Sequence, residues 1–176
     1  MKRCISLLWA LALVLSLAAL PAWAAAPNAA SSAPATRAML CVALWEREGK
    51  PAADAAADFS DVLRTASYAE AVRWATACGI TQGCGGGCFC PDDGLNREQF
   101  FTLLFRYAAC MGAAAAPGIG VLDFDDAAEV SSWAVDAFRW AVQAQLINVE
   151  AHRLFPGVAA YRTLAETALE RLQGLF

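Results

Sequence analysis

Phe59-Ser60-Asp61-Val62 returns 65 residues later as Phe124-Asp125-Asp126-Ala127, and the segments behind the two copies run in parallel. Both continue into an alanine-rich apolar stretch carrying Arg-Trp-Ala (Arg73-Trp74-Ala75; Arg139-Trp140-Ala141). Each then reaches a Phe in a turn-rich loop, Phe89 and Phe155. Each closes with an Arg ahead of a leucine-rich run: Arg97 before Leu103-Leu104, and Arg162 before Leu169 and Leu172. The second loop reads as one residue shorter. A recurrence of this length marks an array of supersecondary units, which bury their apolar faces on one another.

Within the first full unit, Ser67-Tyr68-Ala69-Glu70 has the spacing of a capping box and predicts a helix start. Tyr68, Val72, Ala75 and Cys78 recur with helical spacing, and Gly79 supplies a C-terminal glycine. Gly83 to Gly94 holds five glycines and Pro91, a loop by composition. A second helix opens at Asn96, a good N-cap with Gln99 three residues on, and buries Phe100, Leu103, Leu104 and Tyr107. The second unit repeats the plan with Trp133, Ala137, Trp140, Ala141 and Ala144, then Ala165, Ala168, Leu169 and Leu172. Thr163-Leu164-Ala165-Glu166 is itself a capping-box pattern, which would put Arg162 just outside its helix. A partial copy comes first: Thr36-Arg37-Ala38-Met39-Leu40 opens a closing helix that ends at Glu48-Gly49-Lys50-Pro51, without the preceding Phe-x-Asp and first helix.

Residues 1–24 carry a basic Lys2-Arg3, an apolar run from Ile5 to Leu20 and an Ala22-Trp23-Ala24 cleavage pattern, so they read as a secretory signal peptide. Residues 25–35, rich in Ala, Pro, Asn and Ser, read as a linker. Of 176 residues, 59% are hydrophobic, a figure raised by the signal peptide and by alanine. The net charge of −4 and the lack of a basic stripe argue against a nucleic-acid partner. Export also implies an oxidising compartment for Cys41, Cys78, Cys84, Cys88, Cys90 and Cys110, all disulfide candidates. Six cysteines allow 15 connectivities, and the sequence does not choose among them. Free thiols and a zinc or redox site are the alternatives, but the spacings are not the paired Cys-x-x-Cys of a zinc ribbon. No Ser/His/Asp or Cys/His set can be assembled from one histidine, His152, in a different unit from the cysteine cluster. Asp123-Phe124-Asp125-Asp126 lacks the closing Glu of a calcium loop. Neither catalysis, a cofactor nor a metal is expected.

The ordered motifs resemble the S-layer homology (SLH) family. They are Phe59-Ser60-Asp61-Val62, Gly79-Ile80-Thr81-Gln82-Gly83, Phe89-Cys90-Pro91-Asp92-Asp93 and Asn96-Arg97-Glu98-Gln99, with Thr36-Arg37-Ala38-Met39 at the front. Phe124-Asp125-Asp126, Val130-Ser131-Ser132-Trp133-Ala134 and Tyr161-Arg162-Thr163-Leu164 complete the second set. The resemblance implies an all-α fold, with tandem helix-loop-helix repeats packed as a truncated pseudo-threefold helical bundle. It divides the chain into a partial repeat at 36–58 and repeats at 59–110 and 124–176. It also implies an exported protein at a bacterial cell wall, holding an anionic secondary wall polysaccharide, typically pyruvylated, without covalent attachment.

Carried over by position, Arg37, Arg97 and Arg162 would bind the ketal carboxylate, which a guanidinium fork can grip in bidentate fashion. Asp61 and Asp126 would hold sugar hydroxyls or orient the Arg, and Trp133 would stack on sugar or pack. The plainer readings are a solvated Arg in a first helical turn, turn chemistry for the aspartates, and core positions for Trp74 and Trp140. The Thr-Arg-Ala-Glu tetrad of the family is complete nowhere, and Gln145 and Val149 replace glycines of the last unit. These departures suggest a second function: a degenerate module that pairs with another SLH chain instead of glycan.

Overall fold

A computed structural model describes residues 33–53, 58–113, 123–147 and 152–175. The expected signal peptide and residues 25–32 of the expected linker lie outside the described residues. Among the described residues there are five α-helices and no strand: α1 (Arg37–Arg47), α2 (Ala69–Ala77), α3 (Arg97–Cys110), α4 (Val135–Gln143) and α5 (Arg162–Leu172). A 3₁₀ turn at Ala127–Glu129 precedes α4.

Capping explains where two helices begin. The Thr36 hydroxyl accepts from the Met39 N–H ahead of α1. Asn96 and Gln99 form a reciprocal capping box ahead of α3, as their spacing predicts. The other two capping patterns are not used. Helix α2 starts at Ala69 behind Tyr68, and α5 starts at Arg162 behind Tyr161, neither with a side-chain cap. Arg162 is therefore the first residue of α5, not a residue outside it. Its N–H is taken by the Ala33 carbonyl at 3.1 Å, so tertiary contact fixes this terminus instead of Thr163. Helices α1 and α2 end as read, with Gly49 and Gly79 in the left-handed region.

Helix α3 is the centre of the core. Phe100, Phe101, Thr102, Leu103 and Leu104 are all buried, so α3 is enclosed beyond the single apolar face its spacing suggests. The physical reason is that it has neighbours on both sides. The Trp74 ring of α2 meets Tyr107 edge-on at 6.5 Å, while Phe138 and Trp140 of α4 meet Phe101 and Phe105 at 5.6 and 5.8 Å. Burying each such side chain is worth roughly 2–3 kcal/mol of transfer free energy. Trp74 and Trp140 are core residues, 5% and 7% exposed. The main helix pairs are α1 with α2 and α3 with α4, so each closing helix packs on the opening helix of the next unit.

Three backbone hydrogen bonds tie the units together at equivalent positions, two residues before each helix-opening Arg. The Ala35 N–H donates to Ala160 (2.7 Å), Ala160 to Leu95 (2.8 Å) and Leu95 back to Ala35 (2.8 Å). The ring closes on itself. It also fixes Ala33 to Ala35, the last part of the expected linker, onto the folded body.

Candidate functional site

The repeated motifs build the same clamp twice. In the first, Asp61 accepts from the backbone N–H groups of Phe89 and Cys90, both at 2.7 Å. Arg37, from the preceding copy, donates through Nη1 to the Phe89 carbonyl at 2.6 Å and lies 5.9 Å over the Phe89 ring. In the second, Asp126 accepts from Leu154 (2.8 Å) and Phe155 (2.7 Å), and Arg97 donates through Nε to the Leu154 carbonyl at 2.7 Å. Each loop is therefore held by the Asp of its own unit and the Arg of the unit before.

This geometry corrects the alignment of the loops. Leu154, not Phe155, is the counterpart of Phe89, and both are fully buried. Phe155 is the counterpart of Cys90, and both have positive φ (51° and 58°). Counted from the clamped residue, the two loops reach Arg97 and Arg162 over equal lengths, so the apparent one-residue deletion disappears. Residue type pairs Phe with Phe; burial and hydrogen bonding pair a buried Leu with a buried Phe.

Asp61 and Asp126 both have carboxyl pKa values below the ordinary aspartate range. For Asp61 the hydrogen bond from Phe89 is the largest cause, with Cys90 adding to it. For Asp126 burial is the largest influence and pushes the other way. The N–H donors of Leu154 and Phe155, with help from Arg153, outweigh it. A disulfide between Cys84 and Cys90 closes the first clamped loop.

Arg37 is 8% exposed and largely committed to Phe89. Arg97 instead opens onto a groove of about 560 Å³ between the 154–161 loop and the first turns of α5. Phe155, Val158, Tyr161 and Thr163 line it, and Phe155 and Tyr161 are 36% and 42% exposed. Arg153 lies 5.1 Å over the Phe155 ring and pairs with Asp126 and Glu129, both at 3.5 Å, which holds Phe155 at the groove. The groove thus offers a guanidinium, aromatic faces and hydroxyls, a set suited to an anionic sugar. Among the described residues Arg162 has no equivalent loop. Its Nε is buried without a hydrogen-bond partner among the described residues.

Residues 58–101 match the S-layer homology domain family. Over that segment the chain is similar to S-layer homology domains. Two relatives extend the likeness beyond that segment. One is an exoglucanase XynX of Acetivibrio thermocellus, 31% identical over 113 residues, or 63% of this chain. The other is an amylopullulanase of Thermoanaerobacterium thermosulfurigenes, 29% identical over 98 residues, or 56% of this chain. The matched stretch spans 10% of the first relative and 5% of the second, so the likeness concerns a small part of each.

Trp133, read both as a helix-face residue and as a stacking aromatic, lies in the turn before α4 and is 56% exposed. Sequence reading missed what holds that turn. Glu98 is buried, and its two oxygens accept from the N–H (2.5 Å) and hydroxyl (3.1 Å) of Ser131. Glu98 is next to Arg97, so this link brings the 131–133 turn to the start of α3. The family tetrad has alanine at this place, and periodicity alone gave no signal for a buried carboxylate. Arg153 was missed because it lies in the loop outside every motif of the repeat.

Proposed function

We propose that this chain is a non-catalytic anchoring module at a bacterial cell surface, which binds an anionic secondary cell wall polysaccharide without covalent attachment. The observation that carries the reading is the groove that Arg97 lines together with the exposed rings of Phe155 and Tyr161. A pyruvyl ketal presents one carboxylate on a sugar ring, and this groove pairs the Arg97 guanidinium with faces on which a ring can stack. Trp133, on the turn tied to Glu98, would contact a longer glycan. Asp61 and Asp126 act through the loops: they hold the peptides that the arginines also grip.

The closed ring of hydrogen bonds among Ala35, Leu95 and Ala160 supports a pseudo-threefold arrangement of a partial repeat and two full ones. The amino-terminal 24 residues direct export and are removed. A second reading, a degenerate module that pairs with another S-layer homology chain, draws on Arg162. Among the described residues it lacks the loop carbonyl that Arg37 and Arg97 each hold.

Co-sedimentation of the exported protein with purified wall sacculi tests the proposal, with sacculi stripped of secondary polysaccharide as the control. Binding that needs the polysaccharide and falls at least tenfold in Arg97→Ala supports the anchor. No binding by a folded protein that dimerises with concentration would favour the assembly module.

A further inference from the structure

We infer that Cys78 and Cys110 are the sites of a second disulfide, formed on export, which fastens the end of α2 to the end of α3. Cys78 caps α2, and Cys110 is the last residue of α3. One turn earlier the same two helices already touch, through the Trp74 and Tyr107 rings. Trp74 and Cys78 are four residues apart, and Tyr107 and Cys110 three, so each pair shares a helix face. Glu48 accepts from the Tyr107 hydroxyl and also lies close enough to Cys78 to act on its charge. Cys110 lies close enough to Cys78 to act on its thiol. No other pair of thiols among the described residues is so placed: Cys41 is buried, Cys88 sits beside the Ser60 hydroxyl at 3.3 Å, and Cys84 is bonded to Cys90.

The two thiols differ in a way that orders the reaction. Cys110 is exposed, while burial, then the Cys110 contact, push the Cys78 thiol up to about 12. Cys110 is therefore the first nucleophile. Its thiolate attacks an external disulfide, RSSR, forming Cys110–S–S–R and releasing RS⁻. The Cys78 sulfur then attacks the Cys110 sulfur and expels the second RS⁻. In sum two thiols lose two protons and two electrons, and RSSR becomes two RSH. The oxidant is an exchangeable disulfide, that of a thiol oxidase or glutathione disulfide. The bond would enclose residues 79–109, with the Cys84–Cys90 bridge inside it, so the loop that Asp61 grips would be held by two covalent staples.

The test uses the full protein recovered after export, equilibrated with glutathione disulfide and alkylated before digestion. Trypsin cuts after Arg73, Arg97, Arg106 and Arg139, so Cys78 travels in peptide 74–97 and Cys110 in peptide 107–139. We expect the two peptides joined in the native protein and in Cys88→Ser, but separate in Cys78→Ser. Fragmentation of the joined peptides from native protein should place the link on Cys78, which keeps the test open if the variant does not fold. Alkylated Cys110 in the native protein, or a link that survives in Cys78→Ser, would overturn the assignment.

Discussion

Arg97 and Asp126 come from different repeats and hold the same residue by opposite ends. Arg97 Nε donates to the Leu154 carbonyl at 2.7 Å, and Asp126 Oδ1 accepts from the Leu154 N–H at 2.8 Å. Arg37 and Asp61 hold Phe89 in the same way. The motif that repeats along the chain is thus half of a device; its other half is supplied by the previous copy. The groove beside Arg97 exists only where two successive units meet.

Asp126→Asn should destabilise the protein by about 1–3 kcal/mol at neutral pH, because a buried carboxylate that accepts two N–H groups is replaced by an amide offering one acceptor oxygen. The pH dependence has a definite sign. The folded pKa is lowered, so the native contribution is fully present above the unfolded aspartate pKa and is lost as pH falls through the folded value. Urea unfolding at neutral and at strongly acidic pH should show the gap between wild type and variant narrowing in acid. A gap independent of pH would assign the loss to packing.

Tyr161→Ala separates binding from folding. The ring is largely in the groove and 42% exposed, so its loss should change stability by less than about 0.5 kcal/mol. Sacculus binding should weaken roughly fivefold or more, the effect of removing one stacking face of about 1 kcal/mol. Unfolding curves and binding isotherms on one preparation check both halves.

Glu98→Gln should cost about 1–3 kcal/mol, since the buried charge receives two donors from Ser131 and an amide cannot accept both as well. The release of the 131–133 turn should also raise the solvent accessibility of Trp133 as read by acrylamide quenching. An unchanged melting midpoint would show that water replaces Ser131 at no cost.

Gln145→Gly should stabilise the protein by about 0.5–1 kcal/mol. Gln145 occupies the place of Gly79 after its helix and carries φ of +55°, a conformation that penalises a side chain. Its carbonyl, which accepts from Arg171 at 2.7 Å, is kept by glycine. Thermal melts decide the direction, and a lower midpoint would mean that the Gln145 side chain makes up for its strained backbone.

Local chemistry settled much of this protein in advance. The Asn96–Gln99 capping box, the Thr36 cap and the glycines after α1 and α2 act within a few residues, so their effect is readable from spacing. The apolar spacing that placed Trp74 and Trp140 in the core, and the order of motifs that pointed to the S-layer homology family, belong to the same class of information. What the chain alone did not decide depends on groups brought together from far apart. Leu154 matches Phe89 because Asp126 and Arg97 grip it, not because the letters agree. Arg162 begins α5 because the Ala33 carbonyl takes its N–H, overriding a capping pattern one residue later. Glu98 is buried because Ser131, in the next unit, meets both of its oxygens, and no periodicity encodes a partner 33 residues away. Spacing specifies helices; only closure of the units on one another specifies which carbonyl, carboxylate and guanidinium share a site.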